Sequence, residues 1–281
     1  MIPHPEILEA VRRALAEDIG AGDVTSQACV PESREASGRF LAREPLVVAG
    51  IGLLPLIFDA RGGVQELRLE KNDGDCAAAG DQIAFVRGRA RTLLECERVA
   101  LNFLQRLSGI ATLARQFADR VAGTGCRILD TRKTTPGLRR LEKMAAAAGG
   151  VVNHRIGLFD AVLIKNNHIA AAGGVRQALE NARAAGLPVE IEVRTRAELV
   201  QALECGATHL LLDNLTPEEA ARQVRFVRGY REGGSVVIEI SGGITLDNVR
   251  AYAESGADFV SSGAITHSAR AVDLSFRLEL A

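Results

Sequence analysis

Several short apolar runs in the second half of the chain end in side chains that can do chemistry. Arg132 and Lys133 follow the run Arg127 to Thr131, Lys165 follows Asp160 to Ile164, Glu192 lies within Val189 to Val193, and Asp213 follows His209 to Leu212. The runs Val236 to Ile240 and Asp258 to Ser261 lead instead into Ser241-Gly242-Gly243 and Ser262-Gly263. Arginine offers paired donors matched to a carboxylate or phosphate, and lysine a compact point charge, so this set suits an anionic substrate. The chain holds 4 lysines against 30 arginines, and both Lys133 and Lys165 stand at run ends, where a point charge is the distinguishing choice.

The two glycine turns follow strand-like runs and precede helical patterns. Glycine lets backbone approach a ligand closely, and amides at a helix start attract phosphate. One such turn would be weak evidence; two after the last strands favour a phosphate site. Glu192 and Asp213 are oxygen donors facing it, suited to the Mg2+ that accompanies a pyrophosphate, although an ion pair with a barrel arginine explains them equally well. His154 and Arg155 follow the diglycine Gly149-Gly150 and join the cationic set, and His168 lies beside Lys165. Arg139, Arg140 and Lys143 read as a solvated helix face, and Arg98 as a surface partner of Glu95.

Side chains scattered over eighty positions meet only if the fold gathers them. After Gly125, six strand-like runs alternate with Ala/Arg/Glu-rich helical stretches, the cadence of βα units in a parallel sheet. A closed or incomplete (β/α) barrel converges its strand carboxyl ends on one mouth, whereas an open sheet spreads them along an edge. The first part differs. A helix over residues 5–18 precedes short segments between Gly and Asp clusters, expected as a small sheet, and a helix resumes near Arg91 with Cys96, Val99, Ala100, Phe103, Leu104 and Leu107 on one face.

At 281 residues with 47% hydrophobic and 25% charged side chains, the chain can bury a full core in one or two domains. A net charge of -1 gives no global field for nucleic acid or anionic membrane, so neither is expected as a partner. Five widely spaced cysteines suit neither a zinc ribbon nor a redox pair. With no signal peptide and no membrane span legible, a cytoplasmic protein is expected.

Longer stretches carry a resemblance. Glu97 to Thr112 (ERVALNFLQRLSGIAT), Thr131 to Ala145 (TRKTTPGLRRLEKMA), Gly149 to Ile169 (GGVVNHRIGLFDAVLIKNNHI), EIEV, LLLDN, ISGGITLDNV and SSGAITHSARAVDLS are similar, in order and along the whole chain, to the nicotinate-nucleotide pyrophosphorylases (carboxylating), the quinolinate phosphoribosyltransferases. The resemblance implies an α/β protein: an N-terminal α/β sandwich domain over 1–110, a C-terminal incomplete (β/α) TIM-like barrel over 111–270, and a tail at 271–281 packing back on the N-terminal domain. It implies a homodimer with shared active sites, able to assemble further, and conversion of quinolinate and phosphoribosyl pyrophosphate to nicotinate mononucleotide, pyrophosphate and carbon dioxide in NAD synthesis.

Carried over by position, Arg98, Arg132, Lys133, His154, Arg155 and Lys165 match the pocket for the two quinolinate carboxylates, with Arg98 coming from the neighbouring subunit. Glu192 and Asp213 match the acidic pair near Mg2+ and ribose. Ser241, Gly242, Gly243, Ser262, Gly263 and His267 fall on the phosphate-binding turns. Lys133, Lys165, Glu192 and Asp213 are the catalytic candidates. Lys165-Asn166-Asn167-His168 departs from the family where an acidic residue often follows the lysine. Three other readings are weighed: a molybdenum-operon relative with a different substrate, a ligand sensor on the same fold, and a Schiff-base aldolase using Lys165.

Overall fold

The computed structural model describes residues 4–230 and 233–280. Its strands, in chain order, are β1 Glu35–Ala42, β2 Leu46–Val47, β3 Glu66–Leu69, β4 Cys76–Ala77, β5 Gln82–Arg89, β6 Arg127–Leu129, β7 Val162–Ile164, β8 Val189–Val193, β9 His209–Asp213, β10 Val237–Ser241, β11 Phe259–Ser261 and β12 Leu274–Leu280. Contacts divide the chain into two compact units.

The first unit draws on the chain up to Arg115, on Thr134–Gly150, and on the chain from Ser268. Its antiparallel sheet has the order β12-β1-β5-β3. Alternate residues of β1, among them Ala36, Phe40 and Ala42, are fully buried, the period-2 pattern of a sheet with one covered face. Leu54, Ile57 and Phe58 of the helix Leu53–Asp59, and Leu93, Leu104 and Ile110 of the long helix Ala90–Arg120, add their side chains to the buried set. The tail is tied in twice. Strand β12 pairs with β1 from Ala36↔Leu280 to Ala42↔Leu274, and Gly109 lies against the Arg270 backbone so closely that any Cβ would collide.

Residues 134–150 group with this unit rather than with the barrel segment 111–270 in which the sequence places them. The cause is the helix Arg139–Ala148, which packs against Pro5–Ile19 and sends Arg140 to Glu6 at 3.0 Å. Its buried Glu142 accepts from Arg106 at 2.9 Å and from the Thr135 hydroxyl at 2.7 Å. The solvated face expected of Arg139, Arg140 and Lys143 is not found, because Arg139 and Arg140 are half-buried and Lys143 is 1% exposed.

The second unit runs from Gln116 to Lys133 and from Val151 to His267. Six parallel strands pair in the order β6-β11-β10-β9-β8-β7, and a parallel bridge from Leu129 to Val152 extends the β6 edge. The sheet ends at Val152 on one side and β7 on the other, which makes the barrel incomplete. All six strands fall within the runs read from the sequence, give or take a residue. Ile191, Leu210, Leu212, Ile238, Ile240 and Val260 are buried along one face, and Leu179, Leu199, Ala220, Val224 and Val249 of the crossover helices are buried with them. The alternate positions hold Glu190, Glu192, His209, Asp213, Glu239 and Ser241. Among the described residues no helix is long and apolar enough to cross a membrane.

Candidate functional site

Parallel strands of one sheet bring their carboxyl ends to one rim, and in the second unit two clusters form there. One lies at the ends of β7 to β10. Glu192, 4% exposed, places one carboxylate oxygen 3.7 Å from Lys165 Nζ and the other 2.9 Å from an Arg194 guanidinium nitrogen. The same arginine nitrogen is 4.0 Å from Asp213, which also accepts from the Asn214 side chain at 2.7 Å. Asn214 is the one described non-glycine residue at positive φ, 58°, and its amide bonds the Ser241 carbonyl at 3.0 Å. Gly242, at φ 98°, lies against Asn214, and a Cβ there would sit 2.6 Å from the Asn214 nitrogen, so the turn admits only glycine.

The second cluster lies at the ends of β6 and β11. A Cβ on Gly263 would stand 2.7 Å from Lys133 Cδ and 3.0 Å from the His267 ring, which shows how closely both pack on this glycine. Thr266 donates to the Lys133 carbonyl at 2.7 Å, and the buried Ser262 hydroxyl donates to the Ile244 carbonyl at 2.8 Å. The two glycine turns differ in their sequel. A helix begins at Ala264, directly after Gly263, whereas five residues separate Gly243 from the helix at Val249, so a helix start next to the first turn is not found. The loop is held by Asn248 instead, which accepts from the Thr245 amide at 2.8 Å and donates to the Gly243 carbonyl at 3.0 Å.

Inside the sheet lies a third group. His154 Nε2 is 3.1 Å from Glu190 and 3.2 Å from Glu239, and Glu239 also accepts from the Ser261 hydroxyl at 2.6 Å. The Arg155 amide donates to His154 Nδ1 at 2.7 Å, so in the neutral ring the proton sits on Nε2, between the carboxylates. Burial opposes the imidazolium, but the bonds and charges of Glu190 and then Glu239 outweigh it and raise the histidine pKa. Burial likewise raises that of Glu190. Asp130 fixes the approach by accepting from the His154 amide at 2.8 Å. Arg155 donates to the Ala161 carbonyl at 3.0 Å, and burial together with Arg132 lowers its pKa. A cavity of about 330 Å³ adjoins the group, lined by His154, Arg155, Asp160, Glu190, His209 and Glu239 among others.

The second unit thus holds every sequence-predicted residue except Arg98, which is exposed on the long helix of the first unit. Glu95 does not pair with Arg98 as expected, because Arg61 takes it at 2.7 Å. His168 has a local duty, its Nδ1 accepting from the Lys165 amide at 2.9 Å at the start of the helix Asn166–Ala172. Sequence reasoning missed Arg194, Glu190 and Glu239. The two glutamates carried a signal, since they alternate with buried isoleucines on their strands, and so did Arg194, which directly follows the run Val189 to Val193 as Lys165 follows Ile164. The arginine required by the structural reading of Glu192 and Asp213 is therefore present, and it is Arg194.

Two family profiles match the chain: quinolinate phosphoribosyl transferase, N-terminal domain, over residues 23–108, and the corresponding C-terminal domain over residues 110–277. A Mycobacterium leprae protein named nicotinate-nucleotide pyrophosphorylase (carboxylating) is 42% identical over 275 residues, spanning 96% of both chains. An Arabidopsis thaliana chloroplastic protein of the same name is 40% identical, over 98% of this chain and 84% of its own. The solved structure of the nicotinate-nucleotide pyrophosphorylase from Francisella tularensis superposes with a TM-score of 0.93 at 36% identity, covering 99% of this chain and 98% of that one.

Proposed function

The chain belongs to the quinolinate phosphoribosyltransferase family, and from that premise we propose that the strand-end rim of its second unit is the active site. The enzyme is a pentosyltransferase of NAD biosynthesis: quinolinate and phosphoribosyl pyrophosphate give nicotinate mononucleotide, pyrophosphate and carbon dioxide. The observation that supports the siting best is the convergence of Lys165, Glu192, Asp213 and Ser241 at the ends of neighbouring strands. It works within a cytoplasmic homodimer, each site completed by Arg98 of the partner subunit.

Quinolinate carries two adjacent carboxylates, and taking them out of water is costly unless charged donors replace the water. Arg132, Lys133 and Lys165 are the donors toward the strand ends. His154 and Arg155, which the family resemblance also assigns to the pocket, line the cavity at the strand starts with Val162, Val189, Val237 and Phe259, where His154 is engaged by Glu190 and Glu239. A monocarboxylate would leave buried cations uncompensated, which gives selectivity for the diacid. The sugar phosphate rests on Ser241-Gly242-Gly243 and on Ser262, Gly263 and His267.

Glu192 and Asp213 fit a divalent cation, since both are hard oxygen donors and both already turn toward one positive group, Arg194. Bound there, Mg2+ would neutralise charge on the departing pyrophosphate. The acidic pair favours positive charge developing at the ribose C1 as the pyrophosphate leaves and the pyridine nitrogen attacks. Once that nitrogen is quaternary, its positive charge stabilises the electron pair left on C2 when the C2 carboxylate departs as carbon dioxide. A proton then closes C2, with Lys133 or Lys165 as donor.

Release of labelled carbon dioxide from carboxyl-labelled quinolinate, dependent on phosphoribosyl pyrophosphate, tests the reaction. Failure of Lys165→Ala and Glu192→Gln to slow that release would move the site elsewhere. Mixing Arg98→Ala with a barrel-defective variant should restore activity in the mixed dimers, and absence of rescue would argue against a shared site.

A further inference from the structure

Arg194 is the one charged side chain at the β8 to β9 rim to which the reaction gives no task, and its position is specific. Its Nε and a terminal nitrogen lie 3.1 and 2.9 Å from a single Glu192 oxygen, while the other Glu192 oxygen faces Lys165. Both nitrogens meet one oxygen rather than one oxygen each, so the contact lacks the two parallel hydrogen bonds of a fork-to-fork arginine–carboxylate pair. The Arg194 side chain is 48% exposed and that of Glu192 3%. Meanwhile the backbone is anchored, because the Arg194 amide donates to Glu198 at 2.8 Å and Glu198 completes a capping box with Thr195. A fixed backbone carrying a half-exposed side chain makes a hinged cation resting on a buried carboxylate.

Counting charges gives the cluster a property. Glu192 and Asp213 are balanced by Lys165 and Arg194, so the unliganded cluster at the ends of β7 to β10 is neutral. A bare divalent cation entering between the carboxylates adds two positive charges beside two that are already there. A cation bound to a sugar pyrophosphate brings its own negative charge, toward which a half-exposed guanidinium can turn at little cost.

We propose that Arg194 is a specificity-determining residue that occupies the place of the divalent cation in the unliganded enzyme. It makes the acidic pair refuse the free metal and admit it only in company with the polyanionic sugar. The inference rests on the assignment of Glu192 and Asp213 as the cation-holding pair, and it explains why a site needing a metal carries an arginine on its own ligands.

The test is binding of Mn2+ without substrates, read from the loss of the free-ion electron paramagnetic resonance signal. Wild-type dimer should bind Mn2+ weakly, Arg194→Ala and Arg194→Gln on the order of tenfold more tightly, and Arg194→Lys close to wild type. The affinity gained should disappear in Glu192→Gln/Arg194→Ala. Unchanged Mn2+ affinity in both neutral variants, with the wild-type melting profile retained, overturns the proposal, as does a gain that survives in the double variant. Activity separates this from failure of the underlying assignment: if Glu192→Gln releases carbon dioxide from quinolinate as fast as wild type, the acidic pair itself has been misassigned.

Discussion

The rim and the interior of the second unit's sheet both place acids against bases, but they do so differently. At the rim, Lys165 is 3.7 Å from Glu192, and Arg194 is 2.9 Å from Glu192 and 4.0 Å from Asp213, with both cations about half exposed. In the interior, His154 lies 3.1 and 3.2 Å from two glutamates, and each of these side chains is at most 17% exposed. Pairs whose cation is half solvated contribute little to stability, and that cation can change partners when a ligand arrives. A buried hydrogen-bonded group is costly to break and cannot exchange cheaply. The rim is thus built to be rearranged and the interior to hold its shape, although both descend from the same alternation of acids along β8.

The largest effect should come from the interior. Replacing Glu239 by alanine removes the acceptor of the Ser261 hydroxyl and one of the two partners of His154, and breaking a buried charged group costs about 3–5 kcal/mol. Lys165→Ala should cost under about 1 kcal/mol while abolishing carbon dioxide release. Denaturant midpoints measured beside activity decide the matter, and equal destabilisation by the two variants would erase the distinction. Next in size is Arg132→Ala, expected to weaken quinolinate binding by roughly 2–5 kcal/mol, the usual range for truncating one partner of a buried charge pair. Calorimetric titration reads it, and unchanged affinity would remove Arg132 from the pocket.

A smaller effect sharpens the comparison at the backbone. Gly242→Ala forces a Cβ to within 2.6 Å of the Asn214 nitrogen at φ 98°, whereas Gly243, at φ 63°, faces open space. The first substitution should cost about 1–3 kcal/mol and raise the KM for the sugar pyrophosphate, because Asn214 would shift and carry the neighbouring Asp213 with it. Gly243→Ala should cost about 1–2 kcal/mol and leave Asn214 in place. If both variants melt alike and bind the sugar alike, the close approach at Gly242 has no functional consequence.

What the sequence disclosed follows from the same physics. Strand ends were legible because β-branched runs stop where a polar or glycine residue starts, and those stops are the rim; Lys133, Lys165, Asp213 and Gly263 were found that way. Glu190 and Glu239 could have been found, since the runs Glu190-Ile191-Glu192 and Ile238-Glu239-Ile240 alternate, but a buried acid is legible only once its partner is known, and His154 is at least thirty residues away. Arg194 could have been found as well, since it follows Val193 as Arg132 follows Thr131, but its partner is legible only once Glu192 is seen beside it. Likewise Lys143 and the helix Arg139–Ala148 looked like solvated barrel surface, and only the contact with Pro5–Ile19 assigns them to the first unit. The tail was expected to return to the N-terminal domain, and its strand could have been found, since Leu274-Ser275-Phe276-Arg277-Leu278-Glu279-Leu280 alternates apolar and polar residues throughout.

The smallest effect tests whether exposed pairs matter to the fold at all. In the first unit Glu44 accepts from Arg270 at 2.7 Å and from the Asp273 amide at 2.7 Å, joining the end of β1 to the chain entering β12. The Arg270 hydrogen bonds, with the Asp273 amide after them, lower the Glu44 pKa from 4.5 to about 2. A carboxylate depressed on folding contributes stability that is complete above its unfolded value and is lost as the pH falls toward its folded one. The window is therefore pH 4.5 down to about 2. Because Arg270 is 69% exposed, solvent and salt screen most of the attraction. Wild type should lose roughly 1–3 °C of melting temperature more than Glu44→Gln across that window, and the difference should shrink in 1 M salt. A larger and salt-insensitive loss would mean that this surface pair, unlike those at the rim, is part of what holds the tail strand in the sheet.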